Sequence, residues 1–326
     1  MTARTLEEQL TKYLTDVHSI EEQALVQMRA APKLTDDQAI SSAFARHLTE
    51  TEEHEKAVRE CLERRGETPN RAKDVIAGII GQGFGAVAKA QPDTPGKLVA
   101  HAYSYEHMEE AAYELLGLLA ERLADSDVVE LARRIENQEQ EMAGRLERLF
   151  DVAVDASLGA QKPDELGEQL NKYLADAHAI EQQAIALLRR SPKLSGASEL
   201  ASAYEEHLEE TMRHSELLET RLEARGGKPN ALKDAGLRLG ALNWGAFFAA
   251  QPDTPAKLAG FAYAFEHLEI ASYELLRRVA QRAGDAETVQ VADRILGEER
   301  AAAGKLRSMF PQALDASLRE LSLPAR

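Results

Sequence analysis

The sequence predicts an all-α protein made of two tandem four-helix bundles, residues 1–160 and 161–326. Three observations carry this expectation. Strand signals are nearly absent: aromatics are 5% of the chain, apolar–polar alternation is lacking, and Ala, Leu, Glu and Arg dominate. On a shift of 160 residues the chain realigns with itself without a gap, from Leu6/Leu166 to Leu158/Leu318, with roughly half of the paired positions identical. Each copy also carries four helical segments set apart by proline, glycine and capping residues.

The first helix spans about Leu6 to Ala30 and stops before Pro32. Thr35 with Gln38 forms a capping box that opens the second, which reaches Arg65 and ends at Gly66. After Pro69 a weaker, glycine-spaced segment ends at Gln91. Asp93, Thr94 and Pro95 then supply a cap and a proline at the first helical position, and the third helix runs to about Leu123. The fourth starts near Asp125–Ser126 and runs to Phe150. The second copy repeats these marks at Pro192, Gly226, Pro229, Thr254–Pro255 and Asp285. Short turns join helices one and two, and three and four. The roughly 28 residues between helices two and three are enough to cross the length of a bundle at ~1.5 Å per helical residue. An up-down pair, a long crossover with a short helix and another up-down pair make the ferritin-like four-helix order.

Composition narrows the partners. A net charge of −16 argues against nucleic acid or an anionic membrane. The single cysteine, Cys61, faces Arg221 in the alignment, so no disulfide forms within one chain and a reducing cytoplasm is expected. The start MTARTLEEQLTKYL lacks a signal-peptide apolar stretch, and no run approaches the ~20 apolar residues of a membrane span. A soluble, cytoplasmic protein is the expectation.

Polar residues that recur inside apolar stripes carry the functional signal. On the first helix Leu10, Leu14, Val17, Glu21, Ala24 and Met28 share a face, and on the fourth Ile135, Glu139, Met142, Leu146 and Leu149 do. The second helix carries His47, Glu50 and His54 within a sector of roughly 60°, on a line with Ile40, Ala43, Ala57 and Cys61. The third places Ala102, Glu106, Glu109 and Tyr113 on one side. The second copy matches these with Glu181, His207, Glu210, His214, Glu266, Glu269 and Glu299. Converging carboxylates without lysine or arginine repel and are costly to bury, and cations restore the balance. Two divalent metals per bundle, bridged by glutamates with one or two terminal histidines, fit these residue types, and hard carboxylate oxygens plus imidazole suit iron or manganese. Scarce thiolates argue against structural zinc. A hemerythrin-like site is excluded, because His54 and His214 are followed four residues on by Val58 and Leu218.

At these residues the chain resembles the YciE/YciF family of ferritin-like metal-binding proteins and, more remotely, rubrerythrin and ferritin. The resembling stretches are DVHSIEEQAL and DAHAIEQQAI, HLTETEEH and HLEETMRH, YEHMEEAAYELL and FEHLEIASYELL, and NQEQEMAGRL and GEERAAAGKL. The most specific pattern is Glu106, His107, Glu109 and Tyr113, repeated at Glu266, His267, Glu269 and Tyr273. The resemblance implies a dinuclear site on Glu21, Glu50, Glu106, Glu109 and Glu139 and their counterparts. The chain departs from rubrerythrin and ferritin in lacking the Glu-x-x-His step: Glu53 and Arg213 stand three after Glu50 and Glu210, and Met142 and Ala302 three after Glu139 and Glu299. For His47 and His54, metal ligation and orientation of a neighbouring carboxylate both stay open.

The resemblance also implies a stress-type protein in which O₂ or peroxide oxidises Fe(II), ferroxidase-like or peroxide-consuming. The alternatives are a non-catalytic metal-binding or structural module and a manganese catalase-like site. A ferritin-type storage shell is not expected, since a tandem chain would have to satisfy shell contacts with two different bundles; an intramolecular bundle pair mimicking a homodimer is. Glu22, Glu110 and Glu136 become Gln182, Ile270 and Leu296, so the first copy is the more acidic. If one site alone functions, the first copy is the expected one.

Overall fold

A computed structural model describes residues 5–67, 94–159, 165–228 and 253–325. The expected crossover segments, with their short helix, lie outside the described residues. The chain divides into two compact units, 1–159 and 160–326. Among the described residues every regular element is a helix.

The first unit contains α1 (Leu6–Ala30), a 3₁₀ turn (Ala31–Lys33), α2 (Gln38–Arg64), α3 (Thr94–Arg122), α4 (Ser126–Glu147) and α5 (Phe150–Leu158). The second contains α6 (Leu166–Leu188), α7 (Ser191–Leu194), α8 (Ser198–Ala224), α9 (Thr254–Arg282), α10 (Ala286–Ser308) and α11 (Phe310–Glu320). In the first unit α1 packs on α2 and α3, while α4 packs on α3 and α2, which closes a four-helix ring. The second closes the same ring with α6, α8, α9 and α10. The axis of each ring is where the apolar stripes meet.

Local chemistry explains where the helices begin and end. The Thr5 hydroxyl accepts the Glu8 N–H and opens α1. The expected capping box at Thr35 is not used. Asp37 instead accepts the N–H groups of Ala39 and Ile40 at 2.9 and 3.0 Å, while Thr35 accepts the Asp37 N–H. A carboxylate two residues nearer the first turn reaches more of its orphan donors. The fourth helix also ends sooner than expected, at Glu147. The chain turns at Leu149 into α5, which packs back on α3. There Ser157 Oγ accepts the Gly96 N–H, as Ser317 Oγ accepts that of Ala256, both at 2.9 Å, so these serines satisfy first-turn donors of α3 and α9.

After α3 the chain reverses through Ala124, at φ 54°, with the Asp125 N–H donating to the Ala120 carbonyl. The second unit makes the same turn with Gly284, at φ 69°. A side chain is strained in that left-handed region by roughly 1–2 kcal/mol. Ala124→Gly is therefore expected to stabilise the first unit by about 1 kcal/mol, read from its denaturant midpoint.

The phase of α2 matters most for the site. Its buried face is Ile40, Phe44, His47, Thr51, His54, Val58 and Cys61. This stripe shares Ile40, His47, His54 and Cys61 with the expected one but replaces Ala43, Glu50 and Ala57 by Phe44, Thr51 and Val58. Burying the larger apolar side chains rotates Glu50 to the edge of the bundle.

Candidate metal centre

Inside the first ring, four helices bring carboxylates and imidazoles to one place. Glu21 (α1), His47 and His54 (α2), Glu106 and Glu109 (α3) and Glu139 (α4) are all buried at 2% exposure or less. His47, Glu106, Glu109 and Glu139 each offer a ligand atom within 4.8 Å of the others, and so do Glu21, His54 and Glu139. Glu139 belongs to both groups. Its Oε2 lies 3.4 Å from His47 Nε2, and its Oε1 lies 2.8 Å from His54 Nδ1. His47 Nε2 is also 3.0 Å from Glu106, and His54 Nδ1 is 3.8 Å from Glu21.

The second bundle builds the same arrangement. His207, Glu266, Glu269 and Glu299 form one group, and Glu181, His214 and Glu299 the other. Glu299 Oε2 is 3.9 Å from His207 Nε2 and its Oε1 is 2.8 Å from His214 Nδ1. His207 Nε2 lies 2.9 Å from Glu266.

The far ring nitrogens fix the near ones. His47 Nδ1 faces Glu50 at 3.0 Å, and His54 Nε2 faces the Gln138 amide oxygen at 3.1 Å. Each of these partners accepts a hydrogen bond, so the far nitrogen carries an N–H, and a metal that displaced the proton on the near nitrogen would meet its lone pair. Tyr113 donates to Glu21 Oε1 at 2.5 Å, and Tyr273 donates to Glu181. Tyr113→Phe removes that donor from a buried carboxylate and is expected to cost about 1–3 kcal/mol of metal-free stability, measured by denaturant unfolding.

The two remaining expected ligands stand apart. Glu50 lies outside both groups: Arg145 clamps it at 3.0 and 2.7 Å, and it accepts from His47 Nδ1. Glu210 is 3.3 Å from His207 Nδ1 and also outside the groups. Both orient a histidine. No basic residue lies on these stripes in both copies, yet Arg145 reaches Glu50 from beside its stripe, whereas the matching Lys305 pairs with Glu206. His107 turns away from the cluster, as expected from its position next to Glu106, and contacts Glu110 at 2.7 Å.

Sequence reasoning passed over Gln138 and Glu298, the partners of His54 and His214, which sit one residue before Glu139 and Glu299. It also passed over Tyr204, which replaces Phe44. This side chain is fully buried, its hydroxyl finds no hydrogen-bond partner among the described residues, and burial and the charge of Glu266 push its pKa up. A comparison of residue pairs 44/204 and 138/298 between the copies was the signal available for both.

Burial governs the charge states. It is the main cause raising Glu21 to about 8, with the charge of Glu139 adding to it, and it raises Glu106 to about 7 and Glu109 well above the carboxylate range. Glu181 and Glu266 rise in the same way to about 8 and about 7, with Glu269 well above the usual range. Burial acts on Glu139 too, but the close approach of His54 and the His47 and His54 charges outweigh it and hold the carboxyl below its ordinary value. Glu50 is likewise pushed up by burial, yet His47 and Arg145 bring it down to about 2.

Many of the converging atoms lack a well-angled hydrogen bond. Both oxygens of Glu106, Glu109 and Glu139, Glu21 Oε2, His47 Nε2 and His54 Nδ1 are buried without a well-angled hydrogen-bond partner among the described residues. In the second bundle the same holds for both oxygens of Glu269 and Glu299, one each of Glu181 and Glu266, and the facing nitrogens of His207 and His214. Orphaned buried charges are costly unless a counter-ion satisfies them. The donor set, carboxylate oxygen plus imidazole, suits a divalent first-row metal. On burial, donor type and unmet valence, the residues could hold metal ions.

A family model described as "Domain of unknown function (DUF892)" matches residues 5–159 and again 165–319. The chain belongs to the DUF892 family. Each match coincides with one of the two compact units to within a few residues, so each unit of this chain is one DUF892 domain. Protein YciF of Escherichia coli (strain K12) is 26% identical over 159 residues, 48% of this chain and 94% of that protein, which makes it one DUF892 domain long. No solved structure matches the chain. No helix among the described residues is long and apolar enough to cross a membrane.

Proposed function

We propose that each bundle is a dinuclear metal centre and that the chain oxidises Fe(II) with O₂ or peroxide. The carrying observation is Glu139, and likewise Glu299, which turns one oxygen toward each of two histidines and so belongs to two adjacent ligand groups. That placement supports a bridge. His47, Glu106 and Glu109 would complete one metal position, and Glu21 and His54 the other, with the matching residues in the second bundle.

Bound iron would supply the electrons for reducing the oxidant. The protein's contribution is the dry cavity, the fixed charge and the proton inventory. Glu106 and Glu109 hold protons near neutral pH and would release them as cations arrive. Tyr113 holds Glu21 in one orientation while keeping its own proton, since burial and the neighbouring Glu21 push the phenol well above its usual range. The acidic surface, net −16, favours approach of a cation.

Aerobic titration of the purified chain with Fe(II), followed by O₂ consumption, tests the activity. Oxidation clearly faster than in buffer is expected, and it should fall by about half when one bundle's bridging glutamate is removed. A rate equal to buffer removes the enzymatic reading. Manganese shares this ligand preference. Elemental analysis of the protein as purified therefore distinguishes iron from a manganese, catalase-like centre, and the absence of bound metal would favour a structural module.

A further inference from the structure

The two bundles hold one of their histidines in the same place but give it different partners. His54 Nδ1 lies 2.8 Å from Glu139 and 3.8 Å from Glu21, and His214 Nδ1 lies 2.8 Å from Glu299 and 3.7 Å from Glu181. Facing the metal cluster, the two sites agree within 0.1 Å at each of these distances. Behind the ring they diverge. His54 Nε2 meets the neutral amide oxygen of Gln138 at 3.1 Å, whereas His214 Nε2 meets the carboxylate of Glu298 at 2.8 Å. Residues 138 and 298 occupy equivalent positions of the repeat, one before the bridging glutamate.

A carboxylate behind an imidazole draws on its N–H and makes the opposite nitrogen a stronger electron donor; an amide oxygen does so much less. At the other metal position both histidines, His47 and His207, face a carboxylate, Glu50 and Glu210, and the difference there is that Arg145 shares Glu50. We infer that the residue at 138/298 sets the strength of the second metal position, so that the one built on Glu181, His214 and Glu299 binds a divalent metal more tightly than the one built on Glu21, His54 and Glu139. This rests on the dinuclear reading above. Arg294 shares Glu298 at 3.1 Å and moderates its charge. Losing an orienting partner behind a ligating histidine changes metal affinity by about 10–100-fold, and that is the size of the expected difference. The order runs opposite to the one suggested by the greater acidity of the first copy. Two unequal bundles in one chain would load in sequence as metal rises.

Anaerobic Mn(II) titration, with free Mn(II) read by electron paramagnetic resonance, tests this on the full-length chain. One protein carries Glu106→Ala and Glu139→Ala, leaving the second bundle's site; the other carries Glu266→Ala and Glu299→Ala, leaving the first. The weaker of the two binding steps is expected to be 10–100-fold tighter in the protein that keeps the second bundle. Glu298→Gln should loosen that step, and Gln138→Glu should tighten its counterpart in the first bundle, each by a similar factor. Equal weaker steps, or swaps that shift them less than about threefold, overturn the inference while leaving the metal reading intact. No Mn(II) uptake by either protein overturns both. If an alanine pair prevents folding, judged by circular dichroism, the two near-isosteric swaps in the otherwise unchanged chain answer the question from the spread of the four binding steps.

Discussion

If each bundle holds two metals as proposed, Glu139→Ala is expected to abolish metal binding at both positions of the first bundle, so that the chain falls from four metal ions (two in each of two bundles) to two. The reason is geometric: among the described residues, Glu139 alone belongs to both of the fully buried ligand groups of that bundle. With its oxygens gone, the His47 position loses one of four ligand groups and the His54 position one of three. Affinity at each should fall by more than about a hundredfold, beyond the 10–100-fold that follows loss of an orienting partner. Two comparisons sharpen the expectation. Glu21→Ala should cost only the His54 position, leaving three ions. Glu50→Gln should keep all four and weaken the His47 position by about tenfold, because Glu50 touches His47 and Arg145 and lies outside both ligand groups. Metal content after gel filtration checks all three.

The second large effect is on stability without metal. Glu21 and Glu181 are held near 8, Glu106 and Glu266 near 7, and Glu109 and Glu269 higher, chiefly by burial. A carboxyl with a raised pKa binds its proton more tightly folded than unfolded. Stability therefore declines as pH climbs from the unfolded carboxyl range toward the folded value. The histidines act in the same direction. Burial lowers them, but the charges and hydrogen bonds of the surrounding glutamates prevail; His214 is raised to about 9, and His54, His47 and His207 are raised as well. Their contribution is complete below the unfolded imidazole range and is lost through the folded one. Glu139 and Glu50 are depressed and act in acid, below about pH 4.5. The metal-free protein should thus lose on the order of 3 kcal/mol per bundle or more between about pH 5 and pH 9. Saturating Mn(II) should remove or reverse that slope, since cations displace the same protons. Urea unfolding at several pH values, with and without metal, measures it. A metal-free stability that rises with pH over this range contradicts the burial of the cluster.

Most of the site was legible because its residues interrupt apolar stripes. Glu21 between Val17 and Ala24, and Glu139 between Ile135 and Met142, can only point inward once their helices form, and the 160-residue repeat shows each twice. The face of α2 was harder to read. Two stripes of alternating threes and fours pass through Ile40, His47, His54 and Cys61, and one of them takes Glu50 while the other takes Thr51. Charge favours the first as a metal site; volume favours the second, since Phe44 and Val58 bury more than Ala43 and Ala57. Packing decided it, and Glu50 was left to orient His47.

Other features depend on contacts that no local pattern encodes. The turn into α5 carries no breaker in the first copy, and Pro311 marks the matching point in the second. Asp37 outcompetes Thr35 as a cap by two residues of proximity. Gln138 and Glu298 lie off the apolar stripes of α4 and α10; only the assembled ring shows them reaching the backs of His54 and His214.

The most direct test of the dinuclear reading is anomalous scattering from crystals of the chain loaded with Fe(II) or Mn(II). Two peaks are expected at the centre of each bundle, one beside His47 Nε2 and one beside His54 Nδ1 with Glu139 between them, and the same pair around Glu299. A single peak per bundle, peaks at Glu50 and Glu210 instead, or none at either centre would contradict it.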